Sequence, residues 1–265
     1  MSYRATIVTS VLNGARTLPR CIESVTTQTY PCEHLIVDGG STDGSQEIVR
    51  GLQRDGLRLL DAPGSTISEA FNIGIQSAEG DIVGILNSDD WYEAGAVGRS
   101  VAALEANPQA GFTYGDVILY RRNRVTLARP VARERLERVA GQFLPFAHVS
   151  SFVRREIYDR FGPYDTHYRV AMDFDFYARI ISRGVKGVPV EGIIGHVEMG
   201  GVSDNRWRRF GEYWAISSKY LGRVPAFATI SYYNIRSMAY ESSVGIPIVR
   251  DMIKRLGLAK RFREL

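Results

Sequence analysis

The sequence predicts an α/β fold in which a mostly parallel central sheet carries helices on both faces. Within residues 5–86, short apolar runs alternate with segments whose apolar residues have helical spacing. The apolar runs are continuous rather than alternating with polar residues, as in strands that helices bury on both sides. A chain of 265 residues with 45% hydrophobic residues can also bury one large core together with a smaller appendage.

The predicted elements alternate between strand and helix along the first third of the chain. The predicted strands are residues 5–12, 34–38, 57–61 and 81–86. The predicted helices are residues 17–28, 44–53 and 68–78. Thr17 is placed to cap the first helix, with Pro19 in its first turn. Ligands of such sheets bind beyond the carboxyl ends of the strands, so the polar residues that follow the second and fourth strands are candidate site residues.

The positive charge of the chain comes from one segment. The net charge is +4, and residues 250–265 hold six Lys or Arg against two acidic residues. The rest of the chain is neutral, which argues against a nucleic-acid partner. The sequence has neither a membrane-spanning apolar run nor a signal-peptide pattern, so we expect a cytoplasmic protein. Cys21 and Cys32 lack CxxC spacing, and we expect both to be reduced and structural.

Residues 37–45, VDGGSTDGS, follow the second predicted strand. The glycines allow positive φ and a close backbone approach, and Asp38 comes directly off the strand end. This pattern is typical of a nucleotide-binding corner. It is also compatible with an ordinary turn that leads into a helix capped by Asp43 or Ser45. A dinucleotide site is not favoured, because no GxGxxG fingerprint follows the first strand.

Residues 85–93, ILNSDDWYE, place two adjacent carboxylates at the end of an apolar strand. Asp89 and Asp90 repel each other, so a solvated turn or a cation should compensate for them. Two carboxylates beside a nucleotide diphosphate can hold a hard divalent cation that bridges the phosphates. Alternatively, Ser and Asp at this point cap the following helix.

Residues 170–184, VAMDFDFYARIISRG, predict a helix with one apolar face. The apolar residues of that face are Phe174, Phe176, Tyr177, Ile180 and Ile181. Asp173 falls near the centre of the apolar face, which makes it the better candidate for a general base. Asp175 points the other way, four residues before Arg179, and we expect it to be the solvent-exposed partner of an ion pair.

Four motifs occur in an order that resembles a known family. They are residues 37–45, 68–81, 85–92 and 171–180. As a set they resemble the family-2 glycosyltransferases, which are inverting enzymes with the GT-A fold. The resemblance covers roughly residues 4–200 and implies a catalytic domain over residues 1–205, followed by a helical appendage over residues 206–265.

The resemblance also implies an activity. Such an enzyme moves a sugar from a nucleotide-sugar donor, most often a UDP-sugar, to an acceptor hydroxyl with inversion and with the help of Mg²⁺ or Mn²⁺. The acceptor would be a saccharide or a lipid-linked saccharide in the assembly of a bacterial-type cell-surface polysaccharide or glycolipid.

Carried over residue by residue, the resemblance assigns roles to four aspartates. Asp38 would contact the base of the nucleotide, and Asp89 the ribose or the metal. Asp90 would be the metal ligand of the DXD-like motif. Asp173 would be the general base, which takes the proton from the acceptor hydroxyl.

The resemblance assigns further residues around these four. Thr9 and Asn13, at the end of the first strand, would contact the nucleotide. His196 would add a metal or phosphate ligand, although a lone His is more often structural. Residues 148–165 resemble the acceptor-side wall of the family, but no residue in them identifies an acceptor.

Three positions depart from the pattern of the family. Asn87 stands where the first acid of the DXD-like stretch is usual, which removes one carboxylate near the phosphates. Phe71 replaces an Arg that many members carry, and Met172 replaces the Glu before the base. None of these positions is Asp90 or Asp173, so we expect an active enzyme.

Two alternative functions stay open from the sequence alone. The first is a nucleotide-sugar-binding protein without catalysis. The second is a nucleotidyltransferase, which should carry a basic Gly-rich loop near its N-terminus, where this chain offers only Arg16.

Residues 206–265 differ in composition from the rest of the chain, and residues 250–265 form two short amphipathic basic pieces. The segment is either a terminal helix that packs on the catalytic domain or a contact with an anionic membrane surface. A third alternative for residues 206–265 is a contact between subunits of an oligomer.

Overall fold

The computed structural model describes residues 3–222, apart from residues 53, 122–123 and 201–205, and also residue 226. The first half of the described chain forms the predicted parallel strands. These are β1 (Ala5–Val11), β2 (Cys32–Asp38), β3 (Leu57–Asp61) and β4 (Ile82–Asn87), which lie side by side in the order β3-β2-β1-β4. All three neighbouring pairs are parallel, so the expected strand direction is confirmed.

The three connecting helices also lie where the sequence predicts them. They are α1 (Leu18–Thr26), α2 (Ser45–Leu52) and α3 (Ile67–Ser77). Thr17 occupies the N-cap position of α1 but makes no side-chain cap, because its hydroxyl donates to the Gly14 carbonyl at 3.3 Å. The start of α3 has a full capping box between Thr66 and Glu69. The helix therefore begins at Ile67, one residue before the predicted start.

The second half of the described chain completes a mixed sheet. Its elements are β5 (Trp91–Tyr92), α4 (Ala96–Ala106), β6 (Ala110–Arg121), β7 (Arg124–Ala128), α5 (Arg133–Val139), β8 (Phe152–Arg154), α6 (Arg155–Phe161), α7 (Met172–Ser182), β9 (Lys186–Glu198) and α8 (Arg206–Leu221). Over the described residues the sheet has nine strands in the order β3-β2-β1-β4-β8-β6-β9-β5, with β7 on β6. Antiparallel pairing of β8 with both β4 and β6 joins the two halves.

Two large apolar clusters cover the faces of this sheet. The first includes Phe71, Phe112 and Phe176 and lies under α3 and α7, and the second includes Val97, Val101 and Leu104 and lies under α4. The helix α3 approaches β1 so closely that a Cβ on Gly74 would lie 2.1 Å from Val8 Cγ1. Helices on both faces are therefore confirmed.

The helix α7 carries both aspartates of the third motif and is buried on almost all sides. Asp175 is 3% exposed, so the expectation of a solvent-exposed aspartate is wrong. The expected pair with Arg179 is present, with Nε 3.7 Å from Asp175 Oδ2. Lys219 of α8 donates to Asp175 Oδ1 at 2.8 Å. Asp175 is buried because α8 covers the face of α7 that the helical pattern left open to solvent.

The first part of the expected appendage, α8, thus packs against α7. None of the helices in the described ranges is both long and apolar enough to cross a membrane. Residues 250–265, on which the expectation of a membrane contact rests, lie outside the part of the chain that the structure describes.

The buried position of Asp175 predicts a loss of stability when its charge is removed. Asp175→Asn should lower the free energy of unfolding by about 1–3 kcal/mol, because two cations lose their carboxylate and one of them, Arg179, is mostly buried. Denaturant unfolding measures this. Asp159→Asn, at an exposed position of α6, is the matched control and should change stability by less than about 0.5 kcal/mol. Equal stability of the two variants would contradict the role of Asp175.

Candidate functional site

The carboxyl ends of β2, β1 and β4 lie next to one another and place two of the sequence motifs side by side. In the sheet register Val11 is paired with Asp38, and Ser10 with Asn87. The loop after β2 and the turn after β4 therefore flank the same crevice, as expected for a parallel sheet.

Asp38 organises the loop that follows β2. Its Oδ2 accepts hydrogen bonds from the Gly40 and Ser41 amides, both at 2.9 Å, and from Gln46 Nε2 at 2.6 Å. Its Oδ1 is buried and has no hydrogen-bond partner among the described residues. Burial would raise the pKa of Asp38, but the hydrogen bonds from Ser41, Gln46 and Gly40 outweigh burial and lower the pKa. Asp38 is thus an ionised acceptor at the strand end.

Asn13 joins the loop after β1 to the loop after β2. It has a positive φ of 53°, its amide donates to Ser41 Oγ at 2.8 Å, and its Oδ1 accepts from the Thr42 amide at 2.9 Å. Asn13 therefore lies at the crevice where the sequence placed it, and its side chain holds the neighbouring loop.

Thr9 does not reach the crevice. It is 0% exposed, and its hydroxyl lies 3.0 Å from His34 Nε2 in the core of the sheet. The expectation that Thr9 contacts a nucleotide is therefore wrong. At Thr9 the strand β1 still lies within the core of the sheet, and only the residues at its carboxyl end reach the crevice.

Asp90 is held between the end of β4 and the end of β9. Its Oδ2 accepts from Asn87 Nδ2 at 2.9 Å, and its Oδ1 accepts from the Glu198 amide at 3.0 Å. It is 1% exposed, and burial together with the charge of Asp89 raises its pKa to about 7. Burial also raises the pKa of Asp89, with a further contribution from Glu198. The two carboxylates are therefore adjacent, partly desolvated and short of positive charge.

These two carboxylates form a donor set that fits a hard divalent cation. Mg²⁺ is usually bound by one or two carboxylates, with substrate phosphates and water as the other ligands. The described residues contain no group of three or more His, Cys, Asp or Glu side chains that could enclose a metal by themselves. Asp89 and Asp90 therefore suit a cation whose coordination a diphosphate completes, and a cation would offset both the burial and the repulsion by Asp89 that raise the pKa of Asp90.

His148 lies between Asp173 and Asn87, the residue that binds Asp90. Its Nδ1 lies 3.4 Å from Asp173 Oδ2, and its Nε2 lies 3.3 Å from Asn87 Nδ2. Burial would lower the pKa of His148, but Asp173, followed by the more distant Asp90 and Asp89, outweighs burial and raises the pKa. The sequence analysis missed this residue. The available signal was its position at the start of the segment that resembles an acceptor-side wall.

Asp173 lies in the first turn of α7 and faces the crevice. Its Oδ1 accepts from the amide of Phe174 at 2.7 Å. The helix α7 is buried on several sides and not on one apolar face as expected, so Asp173 is distinguished by its place at the start of the helix. The candidate base is linked to the candidate metal site by His148 and Asn87.

His196 already has partners for both ring nitrogens. Its Nε2 lies 2.9 Å from Glu93 Oε2, and its Nδ1 lies 3.1 Å from the Tyr120 hydroxyl. Its ring stacks on Trp91 with a centroid distance of 4.9 Å and an interplanar angle of 1°. The structure thus gives His196 a packing role between β5 and β9, and metal binding would require the loss of one of these hydrogen bonds.

Arg20 is a second residue that the sequence analysis missed. Its guanidinium lies 3.5 Å from the centroid of the Trp91 ring, and its Nη2 donates to the Asp89 carbonyl at 3.0 Å. It also lies 3.4 Å from Glu198 Oε2. No local signal in α1 could have identified Arg20, because only the tertiary fold brings the helix to the carboxylate pair.

Two of the departures from the family pattern are core residues. Phe71 is 2% exposed and packs on Tyr164 with ring centroids 5.9 Å apart. Met172 is 8% exposed and belongs to the same apolar cluster. Both side chains therefore contribute to packing behind the crevice.

Comparison with known proteins places this chain in a family. The sequence model of glycosyl transferase family 2 matches residues 6–163. A PGL/p-HBAD biosynthesis glycosyltransferase of Mycobacterium bovis is 33% identical over 181 residues, which cover 66% of this chain and 69% of the relative.

Solved structures share the fold at low sequence identity. TarS of S. aureus in complex with UDP has a TM-score of 0.63 and 14% identity, over 87% of this chain and 70% of that chain. The mannosyltransferase PcManGT from Pyrobaculum calidifontis, in complex with GDP-Man and Mn²⁺, has a TM-score of 0.64 and 20% identity. The match covers 98% of this chain and 81% of that chain. Because the family model matches more than half of the chain and the fold is shared with these structures, the chain belongs to glycosyl transferase family 2 and is a glycosyltransferase with the GT-A fold.

Proposed function

We propose that the protein transfers a sugar from a nucleotide-sugar donor to an acceptor hydroxyl with inversion at the anomeric carbon. The proposal rests on the neighbouring strand ends that carry Asp38 and the Asp89–Asp90 pair, and on the contacts by which His148 and Asn87 connect Asp173 to Asp90. Family membership supports transfer of a glycosyl group over the two alternatives, a nucleotidyltransferase and a binder without catalysis.

Asp38 and the loop that it organises are proposed to hold the nucleoside. Asp38 is 0% exposed and its Oδ1 is buried, so its proposed role is to hold the amides of the loop in place, and a direct bond from a base N–H to Oδ1 would require the loop to move. Asn13 keeps this loop against the end of β1. We propose a UDP-sugar as donor, which the complex of TarS with UDP supports, while the complex of PcManGT with GDP-Man makes a GDP-sugar the second candidate.

Asp89 and Asp90 are proposed to hold Mg²⁺ or Mn²⁺ at the diphosphate. When bound there, the cation would neutralise charge on the leaving diphosphate. Asn87 and the Glu198 amide orient Asp90 for this task. Arg20 lies beside the pair and adds a positive charge at the mouth of the crevice.

Asp173 is proposed to take the proton from the acceptor hydroxyl. The Phe174 amide and the His148 ring lie against its two carboxylate oxygens and orient them. The acceptor oxygen attacks the anomeric carbon from the face opposite the nucleotide, the bond to the diphosphate breaks, and the proton moves to Asp173. One base is sufficient for an inverting displacement.

The acceptor is proposed to be a saccharide or a lipid-linked saccharide in cell-surface polysaccharide or glycolipid assembly. The name of the mycobacterial relative, a PGL/p-HBAD biosynthesis glycosyltransferase, supports a glycolipid. A protein that works at the cytoplasmic face of a membrane, held there by its basic C-terminal segment, would suit such an acceptor.

The first prediction concerns the donor and the cation. In a thermal-shift screen, one class of nucleotide sugar should raise Tm with Mn²⁺ present and lose most of this effect with EDTA, because the phosphates then lack their counter-charge. Asp90→Ala should remove the dependence on Mn²⁺. Equal stabilisation of the unmutated protein with and without EDTA would contradict the metal site, and pyrophosphate release from a nucleoside triphosphate would favour a nucleotidyltransferase.

The second prediction concerns the base. Asp173→Asn should reduce transfer by about 10²–10⁴-fold, because the amide cannot accept the proton, while the Kd for the nucleotide stays within a few-fold. Radiolabelled sugar transfer and calorimetry measure the two quantities. Glu105→Gln, at an exposed position of α4, is the control. Transfer by Asp173→Asn at a tenth or more of the normal rate would displace Asp173 as the base.

The third prediction concerns residues 250–265. The full-length chain should sediment with anionic vesicles but not with neutral ones, and the binding should fall as the salt concentration rises, since each basic residue contributes on the order of 1 kcal/mol. Truncation after Pro247 should abolish sedimentation. Binding to neither vesicle type, or binding that is insensitive to salt, would leave the segment without a role at a charged membrane surface.

A further inference from the structure

The helix that carries Asp173 begins without a cap of its own. The N-cap residue of α7 is Ala171, which has no polar side chain, and the first hydrogen bond of the helix runs from the Asp175 amide to the Ala171 carbonyl at 3.0 Å. The amides just before and at this point therefore need acceptors from another part of the chain.

Glu212 of α8 supplies these acceptors. Its Oε1 accepts from the Arg169 amide at 3.1 Å, and its Oε2 accepts from the amides of Val170 and Ala171, both at 2.9 Å. Three consecutive amides thus donate to one carboxylate. A negative charge at the start of a helix is also favoured by the helix dipole.

Apolar packing fixes α8 against the same end of α7. The rings of Phe174 and Tyr213 lie 4.7 Å apart, and Ile216 is fully buried in one cluster with Ala171 and Ala178. The opposite face of α7 packs into the main core under the sheet. The start of α7 is therefore clamped between the catalytic sheet and α8.

Asp173 lies two residues after the last amide that Glu212 binds. Its contact with the Phe174 amide lies within the helix and does not fix where the helix sits. The distance of 3.4 Å from Asp173 Oδ2 to His148 Nδ1 depends on the position of the helix start relative to the turn that carries His148. A displacement of about 1 Å at a reacting group can reduce a rate by about 100-fold.

We propose that Glu212 is a positioning residue for Asp173. Its carboxylate holds the segment of residues 169–171 and thereby sets the place of the base in the crevice. This inference rests on the proposed function of Asp173, and it makes the first helix of the C-terminal appendage a part of the active-site structure.

The test compares three variants of the full-length protein. Glu212→Ala removes all three hydrogen bonds. Glu212→Gln keeps an oxygen that can accept from Val170 and Ala171, and it tests for rescue. Lys219→Met is the comparison variant, because it removes a different polar contact of α8 with the first turn of α7, the 2.8 Å bond to Asp175, and leaves the Glu212 carboxylate in place.

Glu212→Ala should lower kcat by about 10–100-fold and leave the KM for the nucleotide sugar within about three-fold, since donor binding does not involve α7. The kcat of Glu212→Gln should be at least about five-fold higher than that of Glu212→Ala. Lys219→Met should lower Tm by a similar amount to Glu212→Ala but keep kcat within about three-fold. A kcat of Glu212→Ala within two-fold of normal, or an equal loss in Lys219→Met, would overturn the proposal.

Amide hydrogen exchange separates this proposal from the proposed function. In Glu212→Ala the amides of residues 169–171 should exchange at least about ten-fold faster, and in Lys219→Met they should not. If the unmutated protein transfers no sugar from any nucleotide sugar, the proposed function fails, while this exchange pattern still reports whether Glu212 holds the helix start. Unchanged exchange in Glu212→Ala would overturn the positioning role by itself.

Discussion

The site depends on the burial of Asp90 at the end of β4. A carboxylate that is 1% exposed and lies beside a second carboxylate is costly unless hydrogen bonds or a cation compensate for it. The fold compensates in part, with the Asn87 side chain from the same turn and the Glu198 amide from the end of β9. The bond from the Glu198 amide joins the parallel half of the sheet to the mixed half, and a cation would offset the repulsion that remains between Asp89 and Asp90.

Several features of the molecule follow from this junction. The two-residue strand β5 starts directly after Asp90 and pairs with β9, with Trp91 opposite His196. The indole of Trp91 stacks on the His196 ring and also makes a cation–π contact with the Arg20 guanidinium. The turn after β4 is thereby fixed by contacts from β9 and α1, so the carboxylate pair does not depend on a flexible loop for its position.

The base is held in a different way. Asp173 comes from a helix between the sheet and α8, and its link to the carboxylate pair passes through His148. Each group of the crevice therefore has its own support: the β2 loop through Asp38, the turn after β4 through β9, and the start of α7 through Glu212. Such supporting contacts hold reacting groups to within a fraction of an ångström.

The sequence by itself determined the first half of the fold. Continuous apolar runs and helical spacing identified β1 to β4 and α1 to α3, because periodicity is a local property of a chain. The motifs at the strand ends also identified Asp38, Asp89 and Asp90 as residues of one crevice, since parallel strands bring their carboxyl ends to one edge. The order of the motifs was sufficient to identify the family.

Only the tertiary structure decided the environment of each side chain. Thr9 is a core residue, His196 has both nitrogens occupied, and Asp175 is covered by α8, although the family resemblance had suggested otherwise for Thr9 and His196 and the helical pattern for Asp175. Arg20, His148 and Glu212 act on residues 69, 61 or about 40 positions away, as their bonds to Asp89, Asn87 and residues 169–171 show. Local periodicity shows which face of an element is apolar, but only the packed neighbours, distant in sequence, decide which polar groups meet and which are removed from water.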